Sequence, residues 1–281
     1  MSKIIELFTY PVDRKDVDWN NLICEQNCRF SNKRCFKVRK SQSDVSIGTC
    51  TVQYGKNLRS IIICPNRLLE RRQIFLDCLH LLSSHQPGNE LHLVPEVSIP
   101  GGSVDYFLVS TDSKRKVKDF VGIELQTMDT TGTVWPERQL AIKELGLPSI
   151  LPSDSKSFGM NWKMTAKTIL VQLHHKIETF ESLNKHLVLV IQDHLLNYMK
   201  EEFSFNHLNS PAVTGDSMQI HSYSLARADV DFKLVLSNRI STDSNGIAKL
   251  LGLNANANIG FDAIAKVLES KISDLTFFSI P

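Results

Sequence analysis

The sequence predicts an α/β fold in which a mixed β-sheet is flanked by helices. Three strand-like apolar runs cover residues 91–99, 104–111 and 120–128. An amphipathic helix pattern follows over 162–183. In KHLVLVIQD (185–193) both odd and even positions are apolar, as in a strand that is buried on both faces. Strands followed by a long helix and another buried strand favour a sheet with helices packed on it.

The first 65 residues have a different character, with many Lys, Arg, Asn and Ser residues and several cysteines. We expect a small, loop-rich module over 1–65 and a larger domain over 66–281. NLRSIIIC (57–64) predicts a short strand. A helix capped by Asn66 should then run to about Ser83, with one apolar face made of Leu68, Phe75, Leu79 and Leu82.

Turns and helices can also be assigned further along the chain. The PGGS stretch between the first two strands predicts a hairpin turn. HLLNYMKEEF, NGIAKLLGL and GFDAIAKVLESKIS have helical character, whereas YSLARADVDFKLVLSNRIST has strand character. No internal repeat or low-complexity tract interrupts this order.

The composition limits the broad class of protein. The chain has 281 residues, 42% of them hydrophobic, and a net charge of +2 with a pI near 8.2. This mildly basic balance does not by itself imply nucleic acid. Since no run reaches the roughly 20 apolar residues of a membrane span and no signal-peptide core is present, we expect a cytoplasmic protein without a membrane partner, with its six cysteines as thiols or metal ligands.

Acidic residues interrupt two of the apolar strands. Asp105 lies in VDYFLV, while Glu124 and Gln126 lie in FVGIELQ. If PGGS closes the hairpin, Ser98 pairs with Asp105, and Glu96 shares their face because it is two residues away. Carboxylate oxygens suit a hard cation such as Mg²⁺. The alternative is an ordinary solvated sheet face.

Longer phrases give these residues a more specific context. VPEVSIPGGSVDYFLV, VGIELQTMDTTGTVWPERQ and NWKMTAKTILVQLHHK resemble the NotI-type restriction endonucleases of the PD-(D/E)xK nuclease superfamily. The resemblance extends over about residues 20–200. It implies the restriction-endonuclease-like fold, a mixed sheet flanked by helices. Gln126 stands where that superfamily usually has a lysine, so the chain is an E-x-Q variant.

The resemblance implies a role for each of these residues. Asp105 and Glu124 would bind magnesium, and Gln126 would orient the attacking water or contact phosphate. A neutral amide cannot take the proton of that water as a general base. The fourth catalytic residue is Glu96, which fits the hairpin register, with Glu90 as the alternative.

The cysteines predict a second metal site. Cys24, Cys28 and Cys35 are close in sequence, and Cys64 follows the predicted strand, with Cys50 as an alternative fourth ligand. Closed four-cysteine sites mostly hold zinc, so the residues alone favour zinc. The resemblance instead implies a mononuclear iron with a structural role.

Double-stranded DNA is the partner that the resemblance implies. Lysine side chains suit phosphates, whereas Gln and His side chains can contact base edges. The alternative for each residue is a solvated helix face, and KRKVK (114–118) is either a phosphate clamp or an exposed hairpin tip. The candidate DNA-binding residues are Lys163, Lys167, Gln172 and His175 in the long helix, and Arg138 and Gln139 in WPERQ.

These inferences together predict a type II restriction endonuclease of the bacterial cytoplasm. We expect a homodimer that cuts both strands of a GC-rich palindrome with magnesium, leaving 5′-phosphate and 3′-hydroxyl ends. The rival function is a non-cleaving, sequence-specific DNA-binding protein that keeps the nuclease fold. A small-molecule metallohydrolase is disfavoured because the sequence lacks a histidine-rich ligand set.

Overall fold

The computed structural model describes residues 1–150 and 158–253, together with Lys266 and Ser270. Its N-terminal part contains eight strands: β1 (Ile4–Leu7), β2 (Tyr10–Pro11), β3 (Asn27–Cys28), β4 (Lys33–Arg34), β5 (Val38–Arg39), β6 (Gln42–Ser46), β7 (Thr49–Tyr54) and β8 (Arg59–Ile62). Helix α1 (Trp19–Glu25) lies between β2 and β3. Strands β2, β1, β7 and β8 form an antiparallel sheet in that order, whereas β3–β4 and β5–β6 are isolated pairs.

The predicted helix over 66–83 is wrong, because this segment is broken into short turns. A 3-10 helix spans Pro65–Arg72, α2 covers only Gln73–Leu76, and a second 3-10 helix spans Leu79–Leu81. Glu70 has extended backbone and Arg71 is left-handed, which interrupts the helix. The break accompanies a buried polar contact in which Glu70 accepts hydrogen bonds from the Arg67 guanidinium and the Leu234 amide. This tertiary contact overrides the local helical pattern.

The remaining elements confirm the predicted mixed α/β architecture. The strands are β9 (Glu90–Ile99), β10 (Gly102–Thr111), β11 (Val117–Gln126), β12 (Thr130–Thr131), β13 (Gly159–Met160), β14 (His186–Gln192), β15 (Met218–Ala228) and β16 (Asp231–Thr242). The helices are α3 (Trp135–Glu144), α4 (Trp162–Ser182), α5 (Asp193–Glu202) and α6 (Ser244–Leu250). The predicted helix in GFDAIAKVLESKIS lies outside the described residues, apart from Lys266 and Ser270.

Six of these strands form the central mixed sheet, in the order β16-β15-β14-β11-β10-β9. Strands β9, β10 and β11 form an antiparallel meander. Strand β14 is parallel to β11, β15 is parallel to β14, and β16 returns antiparallel to β15. Helix α4 lies in the crossover from β11 to β14, which parallel pairing requires. Among the described residues, no helix is both long and apolar enough to cross a membrane.

The two faces of the sheet pack against different layers. Leu189 and Ile191 of β14 contribute to one buried cluster with Ile169 and Leu173 of α4, and Ile4 of β1 belongs to the same cluster. The N-terminal sheet is therefore continuous with the core around α4. The alternate β14 residues face the segment 65–82, in a second cluster that contains Val188, Val190, Leu68, Ile74 and Leu81.

The tip of the β9–β10 hairpin packs directly against α4. Gly101 has a φ of +93°, and a Cβ there would lie 1.9 Å from the backbone oxygen of His175. Thr179 of α4 also donates its hydroxyl to the Pro100 carbonyl over 3.2 Å. Only glycine fits such a left-handed residue against another backbone.

We predict that Gly101→Ala destabilises the protein by several kcal/mol, because both the left-handed φ and the backbone clash oppose the new Cβ. Gly88→Ala is a matched control, since Gly88 has a φ of +92° and no atom within 4 Å of its Cβ position. The control should cost only about 1–2 kcal/mol. Urea denaturation of both variants measures the difference, and equal midpoints would contradict the close packing of the tip.

Candidate active site and cysteine cluster

Three carboxylates form a row across the strands β9, β10 and β11. The β10–β11 register pairs Tyr106 with Ile123, and one step further along it places Asp105 beside Glu124. The β9–β10 register pairs Val104 with Val97 and Tyr106 with Pro95, so Glu96 lies opposite Asp105. The three carboxylates lie close enough for their charges to interact, because Glu96 acts on Asp105 and Asp105 acts on Glu124. We call Glu96, Asp105 and Glu124 the carboxylate row.

The hairpin turn is tighter than the sequence predicted. Ile99 pairs with Gly102, so the turn contains only Pro100 and Gly101. The predicted pairing of Ser98 with Asp105 is therefore wrong, because Ser98 pairs with Ser103. The shift makes Glu96 the direct neighbour of Asp105.

Asp105 is held against the neighbouring strand by its own side chain. Its Oδ2 atom accepts a hydrogen bond of 2.7 Å from the Leu125 amide. Burial raises the pKa of Asp105, and the negative charge of Glu96 raises it further, while the Leu125 amide and the Lys176 ammonium oppose the rise. Burial is therefore the main cause of the raised pKa of Asp105, and the neighbouring carboxylate adds to it.

Glu124 is the most buried member of the row, with 4% of its surface exposed. Its Oε1 atom lies 2.6 Å from the Lys176 Nζ atom. Burial raises the pKa of Glu124 to about 7, against the lowering effect of Lys176 and with a further rise from Asp105. Its carboxylate is therefore costly to keep charged without a cation nearby.

Lys176 was absent from the sequence-based candidates. It lies on α4, is 5% exposed, and also donates a hydrogen bond to the Ser103 carbonyl. A signal was present, because Lys176 falls between Leu173 and Phe180 at helical spacing, within the apolar face of α4. A lysine in such a stripe indicates a buried partner.

Gln126 lies on the same face of β11 as Glu124, two residues further along. Its amide group donates a 2.6 Å hydrogen bond to the Thr127 carbonyl. The side chain is partly exposed at the end of the strand. Its amide is therefore near the row but is directed to local backbone.

The structure separates the two candidates for the fourth catalytic residue. Glu90 pairs with Thr111, six residues along β10 from Asp105, which corresponds to about 20 Å. Its carboxylate lies 3.4 Å from the ring of His92 instead. Glu96 belongs to the row and has a left-handed φ of +54°. Such backbone conformations in non-glycine residues cluster at functional sites.

The cysteines are distributed differently from the predicted set. Cys28, Cys35, Cys50 and Cys64 are buried, whereas Cys24 is exposed. The Cys50 thiol hydrogen-bonds Cys64, and the charges of Cys28 and Cys64 act on both Cys35 and Cys50. The structure thus brings Cys50 and Cys64 into one cluster, whereas the sequence analysis treated them as alternatives for the fourth ligand.

Two cations lie beside this cysteine cluster. The hydrogen bond from the Cys50 thiol, against the effect of burial, lowers the pKa of Cys64 to about 7, and the Lys37 ammonium and the amides of Asn66 and Arg67 add to this. Burial lowers the pKa of Arg138 to about 10, and the negative charge of Cys35 opposes this. The cluster therefore has two cations beside it, together with the buried Glu6 carboxylate, whose negative charge raises the pKa of Cys50.

Among the described residues, no group of three or more His, Cys, Asp or Glu side chains is arranged so that it could hold a metal ion. Magnesium, however, is commonly held by one or two carboxylates together with substrate phosphates and water. The donor chemistry of Asp105 and Glu124 fits that pattern.

The candidate DNA-binding residues fall into two groups. Lys163, Lys167, Gln172 and His175 are exposed on α4. Arg138 and Gln139 are buried in α3, where Arg138 donates a 2.6 Å hydrogen bond to the Ile47 carbonyl and stacks 4.8 Å from the Trp135 ring centre. Arg138 and Gln139 also line a groove of about 620 Å³. Because both are buried, they favour a role in packing α3 against the N-terminal sheet over a role in contacting DNA. KRKVK is an exposed hairpin tip, with Lys118 3.0 Å from Asp112.

Comparison with known proteins gave no matching family model and no matching curated protein.

We predict that Glu96→Gly is about 1 kcal/mol more stable than Glu96→Ala, because glycine adopts a left-handed φ without steric cost. The opposite order is expected at Ser98 on the same strand, which has no left-handed φ. There, glycine should be less stable than alanine by about 0.5–1 kcal/mol. Denaturation midpoints of the four variants test this, and the same order at both positions would contradict the strained backbone at Glu96.

Proposed function

We propose that this protein is a magnesium-dependent endonuclease that cuts both strands of DNA at a specific site, as a type II restriction enzyme does. One observation carries the proposal: the carboxylate row places three acidic side chains side by side near the docked tip of a hairpin, from the exposed Glu96 to the buried Glu124. Carboxylates held together against their mutual repulsion fit a cation-dependent reaction at phosphate.

Asp105 and Glu124 would hold the magnesium ion, with Glu96 as the third acid. When bound, the ion would polarise the scissile phosphodiester and favour ionisation of an attacking water. The Leu125 amide already fixes Asp105 in position, and Lys176 fixes Glu124. Such fixed groups need little rearrangement when the substrate arrives.

Gln126 would orient the attacking water or contact the scissile phosphate. In the hydrolysis, the water oxygen bonds to phosphorus and the bond to the 3′ oxygen breaks. The leaving oxygen takes a proton and becomes a hydroxyl, while the phosphate stays on the 5′ end. Since an amide is not a base at neutral pH, the proton of the water passes to solvent or to a phosphate oxygen.

Exposed residues of α4 would contact the DNA. Lys163 and Lys167 suit the phosphate backbone, and Gln172 and His175 suit base edges. A homodimer would match the two-fold symmetry of a palindromic site, here proposed to be GC-rich. The rival proposal is a non-cleaving DNA-binding protein with the same fold. Retention of the whole carboxylate row favours the nuclease.

We predict that purified protein with magnesium cuts long, sequence-diverse DNA into fragments that share one terminal sequence. Sequencing of the ends gives the site, the overhang and the 5′-phosphate together. Non-specific ends would contradict site recognition by α4. Intact DNA with folded protein would favour the binding-protein alternative.

We further predict that Asp105→Asn and Glu124→Gln each lower cleavage about a thousandfold or more, because stabilisation by the metal is worth several kcal/mol. Specific DNA binding in calcium should persist in both variants. Glu90→Gln is the matched control at the far end of the hairpin and should cut normally. Full cleavage by either site variant would remove the catalytic assignment.

A second proposal concerns the cysteine cluster, which we assign to a structural iron, with zinc as the alternative. Four buried thiols match the soft ligand set of either metal. Lys37 and Arg138 fit as countercharges, because a divalent metal bound by four thiolates carries a net charge of −2. In this proposal Cys50 takes the place of Cys24.

We predict that Cys50→Ser lowers the bound metal, measured by elemental analysis, from about one per chain to near zero and lowers the melting temperature. Cys24→Ser should keep both, because Cys24 is exposed. The reverse result would restore the set of Cys24, Cys28, Cys35 and Cys64 that the sequence predicted. Metal-free wild-type protein with normal stability would refute a metal at this cluster.

A further inference from the structure

We propose that Lys176 is a positioning residue of the active site. Strand β11 has the neutral Gln126 two residues after Glu124, and Lys176 supplies a positive charge to the site from helix α4 instead. The inference rests on the proposed nuclease function and names a residue for that same site. It is carried by a juxtaposition: Lys176 Nζ lies 2.6 Å from Glu124 Oε1 and also donates to the Ser103 carbonyl.

The two contacts of Lys176 join the strands that carry the row. Ser103 lies on β10, two residues before Asp105, and Glu124 lies on β11. One ammonium therefore links the hairpin backbone to the buried carboxylate. Since an ammonium has three N–H donors, one donor is left for a ligand at the row.

The position of Lys176 is fixed by the packing of its helix. The carbonyl of the preceding residue, His175, lies against Gly101 at the hairpin tip. Gln126 lies on β11, two residues after Glu124. Leu173 and Ile177 of α4 are fully buried on either side of Lys176. A lysine held in this way reaches the row with little conformational freedom, which favours a positioning role.

Charge at the row gives this lysine a function beyond packing. Three carboxylates and one ammonium leave a formal charge of −2 among residues whose charges affect one another. Lys176 thus relieves part of the repulsion in the free protein but leaves enough negative charge for a divalent cation. A purely apolar residue at this position would pack on α4 but would leave Glu124 buried without a partner.

The role of Lys176 makes two measurements move in opposite directions. With Glu124 ionised and the ammonium absent, the row has one more net negative charge, so cation binding should tighten while the alignment needed for cleavage is lost. A residue with only a structural role would weaken both together when removed. This contrast separates positioning from general damage.

The experiment uses full-length Lys176→Met and Lys176→Gln at pH 9, so that Glu124 is ionised, with Lys143→Met on α3 as an exposed lysine control. Lys176→Gln keeps a hydrogen-bond donor, so it covers the case in which Lys176→Met does not fold. Manganese binding without DNA is followed by electron paramagnetic resonance, and cleavage is followed with magnesium. For both variants we expect threefold to tenfold tighter manganese binding and at least hundredfold slower cleavage.

A second arm moves the charge back to the strand. Gln126→Lys combined with Lys176→Met should recover at least tenfold of the lost cleavage, since a lysine at 126 lies on the same face of β11 as Glu124. Wild-type cleavage by Lys176→Gln, or weaker manganese binding together with slower cleavage, would overturn the proposal. If the double variant recovers no cleavage, the proposal that Lys176 acts by supplying positive charge is overturned.

The proposed function and the role of Lys176 are tested separately. If wild-type protein cuts no DNA, the proposed function is refuted, while the manganese measurement still decides whether Lys176 balances the charge of the row. If wild-type protein cuts and Lys176→Gln behaves as wild type in both measurements, only the role of Lys176 is refuted.

Discussion

The carboxylate row depends on the contact between the β9–β10 tip and α4. Because Gly101 lies against the backbone of His175, the hairpin and the helix approach more closely than side chains would permit. That approach allows Lys176 to reach across to both β10 and Glu124. The register of β9 then places Glu96 beside Asp105. A backbone contact without chemistry of its own thus sets the geometry of the site.

The N-terminal sheet is attached by a buried network around Arg67. Its guanidinium is fully buried and bonds Glu6 of β1 over 2.8 Å, Glu70 over 3.0 Å and the Phe232 carbonyl of β16 over 2.9 Å. Removal of one partner from such a network leaves an uncompensated buried charge, which is strongly destabilising. The network therefore joins the region of the cysteine cluster to the edge of the central sheet. Metal binding at the cysteines would in this way affect the stability of the whole fold.

The sequence predicted the elements that have strong periodicity and missed those decided by tertiary contacts. Strand β14 and helix α4 agree closely with the apolar patterns at 185–193 and 162–183. Asp105 and Glu124 were correctly placed on adjacent strands, although the β9–β10 turn is two residues shorter than predicted. Lys176 was missed because a single lysine in an apolar stripe of a helix does not show which residue it pairs with. The broken helix at Glu70 and the burial of Cys50 depend on distant residues that local patterns do not contain.

Strand β9 forms a free edge of the central sheet and is ten residues long. A long exposed edge invites pairing with a strand of another molecule. Here Pro95 lacks an amide hydrogen and the next residue, Glu96, is left-handed, so the regular strand geometry of this edge is interrupted at that point. We expect the backbone irregularity at this candidate catalytic residue also to limit edge-to-edge aggregation at high concentration.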